Sequence, residues 1–250
     1  MAKDNSAVYE SVSLIYGELM RDVKYNKWSK YLLDVVSEYN EKKNPSVLEL
    51  GAGDCKIARR ISKKYHNIIG SDISLPMLQQ SKRVFISKVC CDMTSLPFNN
   101  KFDLIYSTFD SVNYLLSKRK LLTLFREVKK VLSASGIFTF DVSLEKNSLD
   151  FEGSYTVEGK INGYSFTRKS KYNPISRIHK NIFSITDKYG NVHKEIHRQK
   201  IYKFETYFDI IAKAGMYVVE CLDAFTFNNG NQNSERVQFI LKNNNTNAKF

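Results

Sequence analysis

The stretch Val47–Asp72, VLELGAGDCKIARRISKKYHNIIGSD, decides the fold. A short apolar run carrying one acid, Glu49, enters a turn with glycines at 51 and 53. A helix and a second apolar run follow, and that run ends on a carboxylate, Asp72. In an open parallel sheet, ligands bind where strand ends meet glycine-rich turns, because backbone can approach a ligand closely there. The segment therefore predicts a nucleoside-containing ligand. A dinucleotide fingerprint, G-x-G-x-x-G, would need a third glycine for close helix–strand packing beneath a pyrophosphate. That position holds Lys56, and Glu49 suits a cationic or amine-bearing ligand better than a diphosphate. Asp72, 19 residues after Gly53, stands where a carboxylate accepts hydrogen bonds from ribose hydroxyls.

Outward from this segment, strands and helices alternate from 46 to 143. Strands are expected at Ser46–Leu50, Ile68–Asp72, Ile86–Cys91, Phe102–Ser107 and Gly136–Val142. Helices are expected near 54–65, 75–83 and 118–132, with a short one near 111–116. Continuous apolar strands alternating with helices predict an α/β fold whose parallel sheet is covered on both faces. From 154 to 201 the pattern changes to β-branched and aromatic residues alternating with charged ones. Asn162-Gly163, Asn173-Pro174 and Tyr189-Gly190-Asn191 fall at turn positions, which predicts a three- or four-stranded antiparallel sheet. A helix over 203–214, stopped at Gly215, then strands at 216–226 and 235–242, complete the chain before a polar tail expected to fray. At the other end, Val8, Val12, Ile15 and Leu19, then Trp28, Leu32, Val35 and Val36, recur at helical spacing. RDVKYNK breaks the pattern, so two helices with a bend are expected before Asn44-Pro45.

Composition bounds the function. At 250 residues the chain fits one domain, or one domain with an insertion. No apolar run reaches the roughly 18 residues of a membrane span, and no secretory signal is expected at the N-terminus. Four cysteines show neither a disulfide framework nor paired metal spacing, so reduced thiols in a cytoplasmic protein are expected. Cys90 and Cys91 read as core residues of the third strand. No histidine pair has metal spacing, and no metal is expected. The net charge of +12 opens the question of an anionic partner, but no block of five or six lysines and no arginine-rich arm occurs.

VLELGAGDCKIA, then GSDIS-x-x-ML, CDMTSLPF and KFDLIYS, resembles the class I S-adenosylmethionine-dependent methyltransferases in order and spacing over 46–143. YGELMRDVKYNKWSKYL and FDSVNYL are similar to a bacterial small-molecule subgroup akin to amino-sugar and glycine N-methyltransferases. The resemblance implies a Rossmann-like seven-stranded sheet with helices on both faces and a small antiparallel insertion after strand 5. It implies a helical lid over 1–45, a core over 46–150 and 202–243, and an acceptor cap over 151–201. Glu49, Gly51, Ala52 and Gly53 would line the methionine moiety of S-adenosylmethionine. Asp72 would bind the ribose, Ile73 and Met77 would pack near the adenine, and Asp92 and Met93 would take its amino group and ring face. Met77 reads equally well as a core residue. The family's frequent third glycine is replaced by Cys55. Tyr16 and Trp28 would reach the methionine end from the lid, or else pack as ordinary helix residues.

Phe109 and Asp110 follow the fourth strand, where this fold places groups beside the transferable methyl. No N/D-P-P-Y/F motif and no Pro-Cys nucleophile occurs, which counts against DNA, protein-amine and cytosine carbon-5 methylation. His197 and Tyr202, spaced H-x4-Y, recur in the same subgroup, and His197 is the candidate proton acceptor. The alternative for His197 is a plain surface-strand histidine. The expected activity is methyl transfer to a small-molecule acceptor, at nitrogen before oxygen, by in-line displacement, in a monomer or homodimer. The rivals are an RNA methyltransferase and a non-catalytic S-adenosylmethionine-binding protein, with a nicotinamide dehydrogenase disfavoured by Lys56.

Overall fold

Successive residues of a strand face opposite sides of its sheet, and this parity organises the core. The computed structural model describes residues 9–81, 86–150 and 156–244. Val8, residues 82–83 of the second expected helix, 151–155 of the insertion and 245–250 of the tail lie outside the described residues. Strands β1 (Val47–Leu50), β2 (Ile68–Asp72), β3 (Ser87–Cys90), β4 (Phe102–Ser107) and β5 (Leu132–Ser143) run parallel. After β5 come four antiparallel strands, β6 (Thr156–Ile161), β7 (Tyr164–Asn173), β8 (Ile178–Thr186) and β9 (Val192–Lys200), which form a separate sheet. The chain returns to the main sheet as β10 (Met216–Asp223) and β11 (Arg236–Asn243), the latter antiparallel to β5. The main sheet thus has seven strands in the order β10-β11-β5-β4-β1-β2-β3.

The helices are α1 (Tyr16–Leu19), α2 (Tyr25–Tyr39), α3 (Lys56–Ile61), α4 (Leu75–Gln80), α5 (Lys118–Val131), α6 (Glu145–Asp150) and α7 (Phe204–Lys213), and they leave both faces of the main sheet covered, α5 and α7 on one side and α2 and α3 on the other. Leu48, Leu50, Ile105, Phe138 and Phe140 pack with α5 and α7 in one core cluster. Val47, Leu104, Tyr106 and Ile137, of opposite parity, pack with α2 and α3 in another. Each such buried side chain contributes roughly 1.5–3 kcal/mol. In α5, Leu121, Leu124, Phe125 and Val128 make one apolar stripe. The Ser117 hydroxyl caps this helix by accepting from the Lys120 N–H at 3.2 Å.

Asn162 and Gly163, at φ 50° and 81°, make the two-residue hairpin turn that their types predicted. The inner face of the insertion sheet buries Phe166, Phe183 and Ile185 against Val12 and Ile15 of the N-terminal segment. That segment is less helical than expected. A 3-10 turn (Val12–Leu14) and the four-residue α1 precede the bend, and only α2 is long. Gly17 and the lack of any side-chain cap explain the short helix. The helix expected over 54–65 is also shorter, and α6 was not anticipated. Cys90 is corrected from core to exposed, because β3 is the edge strand of the sheet. No helix among the described residues is long and apolar enough to cross a membrane.

Candidate active site

At the end of β1 the chain must turn sharply and start a helix under its own strand. Gly51 and Gly53 take φ 68° and 55°, and Cys55 takes φ 57°. Cys55 thus holds the left-handed conformation that a third glycine would adopt at less cost. A side chain at 51 would collide with Ser111, whose Cβ and Oγ lie 2.8 Å from the added atom, so this glycine serves close packing of two loops. At 53 the added atom would crowd Met77 Cε at 3.3 Å.

Two carboxylates pin this turn. Asp72 Oδ2 accepts the Gly53 N–H at 2.8 Å and Oδ1 accepts the Ser74 N–H at 2.8 Å. Burial raises the Asp72 pKa, with those N–H groups opposing it. Glu49, 1% exposed, accepts the Ala58 N–H at 3.1 Å near the start of α3. Burial pushes the Glu49 carboxyl up to about 8, against the pull of Tyr106 and the Ala58 N–H, so near neutral pH it holds a proton. Asp92 Oδ1 accepts both the N–H and the hydroxyl of Thr94, at 2.7 and 2.8 Å.

These groups open onto a cavity with about 1180 Å³ of empty space, counted out through its mouth. Of the expected site residues, Tyr16, Glu49, Gly51, Ala52, Gly53, Asp72, Ile73, Met77, Asp92, Met93 and Phe109 line it. Met77, at 1% exposure, is both a core residue and part of the wall. Trp28, Asp110 and His197 stand outside the lining. Trp28 packs behind Phe109 at 4.3 Å between ring centroids and edge-on to Phe225 at 4.6 Å.

Phe109 and Asp110 both adopt positive φ, 58° and 50°, a costly pair that persists only where the surroundings dictate it. Asp110 is committed to that task. Its Oδ1 accepts from Arg236 Nη2 at 2.9 Å, its Oδ2 accepts from the Gln199 amide, and its N–H donates to Asp141 Oδ2 at 2.9 Å. Asp141 is itself paired to Arg236 and fully buried, and burial lifts it to about 6. Asn113, also fully buried, ties the same loop to two other elements. Its amide donates to the carbonyls of Ser143 and Lys200 at 3.2 and 3.0 Å, and its Oδ1 accepts the Ser143 N–H at 3.0 Å.

His197 is not a surface histidine. It is 2% exposed, with its ring 4.4 Å from Tyr9 and 4.8 Å from Phe183. Its Nε2 lies 2.7 Å from Glu195 Oε1 and its Nδ1 lies 3.0 Å from the Tyr114 hydroxyl. That hydroxyl is 2.9 Å from the Tyr9 hydroxyl, and both tyrosines line the cavity. Burial tends to raise Glu195, but His197 and the N–H groups of Val12 and Tyr9 outweigh it and leave the carboxyl below its usual range. An ionised carboxylate only accepts, so Nε2 carries the proton and Nδ1 is left to accept from Tyr114. Burial keeps Tyr114 and Tyr9 protonated, which fits them as donors in the same direction. Tyr202, the partner of His197 in the H-x4-Y spacing, instead donates to the Leu115 carbonyl at 2.7 Å and anchors the loop after β4.

Sequence reasoning missed Tyr9, Tyr114, Ser111, Thr108 and Lys120 as lining residues. It also left out Lys56, which reaches the wall while paired to Asp54 at 2.8 Å. Tyr25 lies in YGELMRDVKYNKWSKYL, and Ser111 and Tyr114 lie in FDSVNYL, so both quoted strings were usable signals, whereas nothing local marks Tyr9. Of the two cysteines read as core, Cys91 lines the cavity.

A glycine turn between two carboxylate-ended strands, repeated at the third strand by Asp92, defines a nucleoside-binding α/β enzyme. Residues 47–136 match the family described as a methyltransferase domain, and the chain is an S-adenosylmethionine-dependent methyltransferase. Over nearly its whole length it is similar to a protein of Geobacillus sp. strain WCH70 classed as a methyltransferase, 27% identical over 244 residues, 94% of this chain and 99% of that one. Its fold is shared with a solved S-adenosylmethionine-dependent methyltransferase from Clostridium acetobutylicum ATCC 824 (TM-score 0.78, 23% identity, covering 94% of this chain and 98% of that one). It is shared as well with the sugar N-methyltransferase KedS8 from Streptoalloteichus sp. ATCC 53650 (TM-score 0.74, 16% identity, covering 90% and 91%).

Proposed function

We propose that this chain methylates a small-molecule acceptor at nitrogen. The observation that carries the reading is the wall opposite the glycine turn. There Tyr9 and Tyr114 face the cavity and lead back through His197 to Glu195. A cavity walled by aromatic side chains, with one polar chain behind them, suits a small amine-bearing molecule. The fold shared with a sugar N-methyltransferase supports the same reading.

S-adenosylmethionine supplies, when bound, a methyl group on a positively charged sulfur. The residues present fit it. Glu49 offers a carboxyl near the glycine turn, Asp72 and Asp92 offer acceptors at the ends of β2 and β3, and Met77 and Met93 offer apolar faces. Tyr16 closes the methionine end, whereas Trp28 acts from behind by fixing Phe109. Asp110 likewise positions the loop rather than meeting the acceptor.

The chain's own contribution is orientation, exclusion of water and one proton path. As the acceptor nitrogen is methylated, its proton passes to Tyr9 oxygen. The Tyr9 proton moves to Tyr114, and the Tyr114 proton moves to Nδ1 of His197. The resulting imidazolium is held by Glu195 through Nε2. His197 is therefore a positioning and proton-storing group, and Tyr9 is the residue in reach of the acceptor.

The test is an acceptor screen with methyl-labelled S-adenosylmethionine against a metabolite extract, with total RNA in parallel. Label is expected in a small amine. Label confined to RNA would overturn the small-molecule reading, and label in neither fraction would favour a non-catalytic binding protein.

A further inference from the structure

The insertion sheet has two unlike faces. Pairing across β6–β9 assigns Phe166, Phe183, Glu195 and His197 to the inner face, which packs on the N-terminal segment. The outer face carries Lys160, Lys169, Lys171, Lys180, Lys194, Arg198 and Lys200, against a single carboxylate, Glu158. This one face therefore supplies six of the twelve units of the chain's net charge. The excess is concentrated here although the sequence holds no block of lysines.

The cations are also in register. Lys171 pairs directly with Lys180, and Lys180 with Arg198, so three like charges cross the sheet in one row. Neighbouring strands lie roughly 4.8 Å apart, and like charges set directly opposite destabilise a sheet. Lys169 and Lys200 flank the row. None of the seven forms an ion pair among the described residues, while Lys30, Lys42, Lys56, Lys130 and Lys146 elsewhere do. Burial lowers the Lys200 pKa, and the nearby charges of Arg177 and Lys118 lower it further. The repulsion has no internal counterpart.

We infer that the outer face of this sheet docks duplex RNA through its phosphate backbone. Four features favour that partner. The row presents cations at the close spacing that neutralises phosphates. Ser165, Thr167, Ser184 and Thr186 lie on the same face, between Lys160 and Lys194, and offer hydroxyls to sugar 2′-OH groups. The face carries no aromatic residue on which single-stranded bases would stack. It is a sheet surface with no projecting element for a B-DNA major groove, whereas an A-form duplex offers a wide, shallow minor groove. A lipid surface fits less well, because the large apolar residues among the cations are the branched aliphatics Ile178, Ile182, Val192 and Ile196, with no tryptophan, tyrosine or phenylalanine to insert. The cavity lies behind the opposite face of the sheet, so the docked RNA is a partner, not the methyl acceptor.

The test is fluorescence anisotropy with a labelled RNA duplex of about 20 base pairs, between about 50 and 200 mM salt. The full chain is compared with a triple variant, Lys171→Gln, Lys180→Gln and Arg198→Gln. A control variant, Lys43→Gln, Lys63→Gln and Lys213→Gln, carries the same charge change on other exposed positions. Wild type and control are expected to bind alike. The triple variant is expected to lose at least roughly 30-fold in affinity at low salt, with a log–log salt slope shallower by about three. Thermal melting establishes that all three proteins are folded. Equal losses in triple variant and control, no binding by wild type, or tighter face-dependent binding to phosphatidylserine vesicles than to the duplex would each overturn the inference.

Discussion

The two walls of the cavity are built in opposite ways. The wall at the ends of β1, β2 and β3 is local. Glu49 reaches a backbone N–H nine residues ahead and Asp72 reaches one 19 residues back. The facing wall is assembled at long range, with Tyr114 and His197 83 residues apart and Ser11 and Glu195 184 apart. Local hydrogen bonds re-form wherever strand, turn and helix form, so the first wall is a property of the fold. The second exists only when the N-terminal segment, the loop after β4 and the insertion sheet meet. The first can be shared by enzymes with unrelated acceptors, and on the proposed function the second is where one acceptor is chosen.

The sharpest way to break this division is Asp72→Ala. It removes two charge-assisted hydrogen bonds to backbone and, on the proposed role, the ribose acceptor as well. Calorimetry is expected to show S-adenosylmethionine affinity falling at least about 100-fold, roughly 3 kcal/mol. A loss under threefold, or tight binding of NAD in its place, would contradict the assignment.

Tyr114→Phe probes the other wall and should leave the first intact. Turnover is expected to fall roughly 10- to 100-fold while S-adenosylmethionine affinity stays within about threefold. A Tyr114→Phe enzyme with weakened cofactor binding and unchanged kcat would place the hydroxyl in the wrong wall.

The smallest effect, counted per pH unit, concerns protons on Glu49. Its folded pKa of about 8 lies above the value of about 4.3 in an unfolded chain, so the folded state binds the extra proton between those limits. Its contribution to stability is full below the lower limit and is lost as pH rises toward 8. Asp72 and Asp141 shift in the same direction, so the informative quantity is the difference between wild type and Glu49→Gln. Melting curves from about pH 5 to 8 should show wild type losing up to roughly 1.4 kcal/mol per pH unit relative to the variant. Parallel curves would mean that Glu49 is ionised throughout.

Legibility in the sequence follows the same division. Val47–Asp72 announced the sheet, the turn and Glu49, Gly51, Gly53 and Asp72, because period, glycine spacing and terminal carboxylates are all local signals. The alternation of 154–201 and the Asn162-Gly163 turn announced the insertion for the same reason. Tyr9 and the pairing of Asp110 with Arg236 and Asp141 left no local trace, and Tyr114, although inside FDSVNYL, was not singled out there. His197 was picked out by resemblance, but its burial and its indirect place behind Tyr114 needed the three-dimensional pairing of β8 with β9. Trp28 was left between two readings for a related reason: helical spacing puts a residue on a face, and only packing decides whether Phe109 stands in front of it.

Glu195 does two jobs with one carboxylate. Besides holding His197, it accepts the backbone N–H groups of Tyr9, Ser11 and Val12, the last two at 2.9 and 3.1 Å. The N-terminal segment is thereby wired to the base itself. Should that segment lift, the tyrosine proposed to meet the acceptor leaves and the carboxylate behind the histidine is released to solvent in the same movement. The proposed base would then be armed only while the cavity is shut, an interlock that spares the methyl donor from water whenever the cavity stands open.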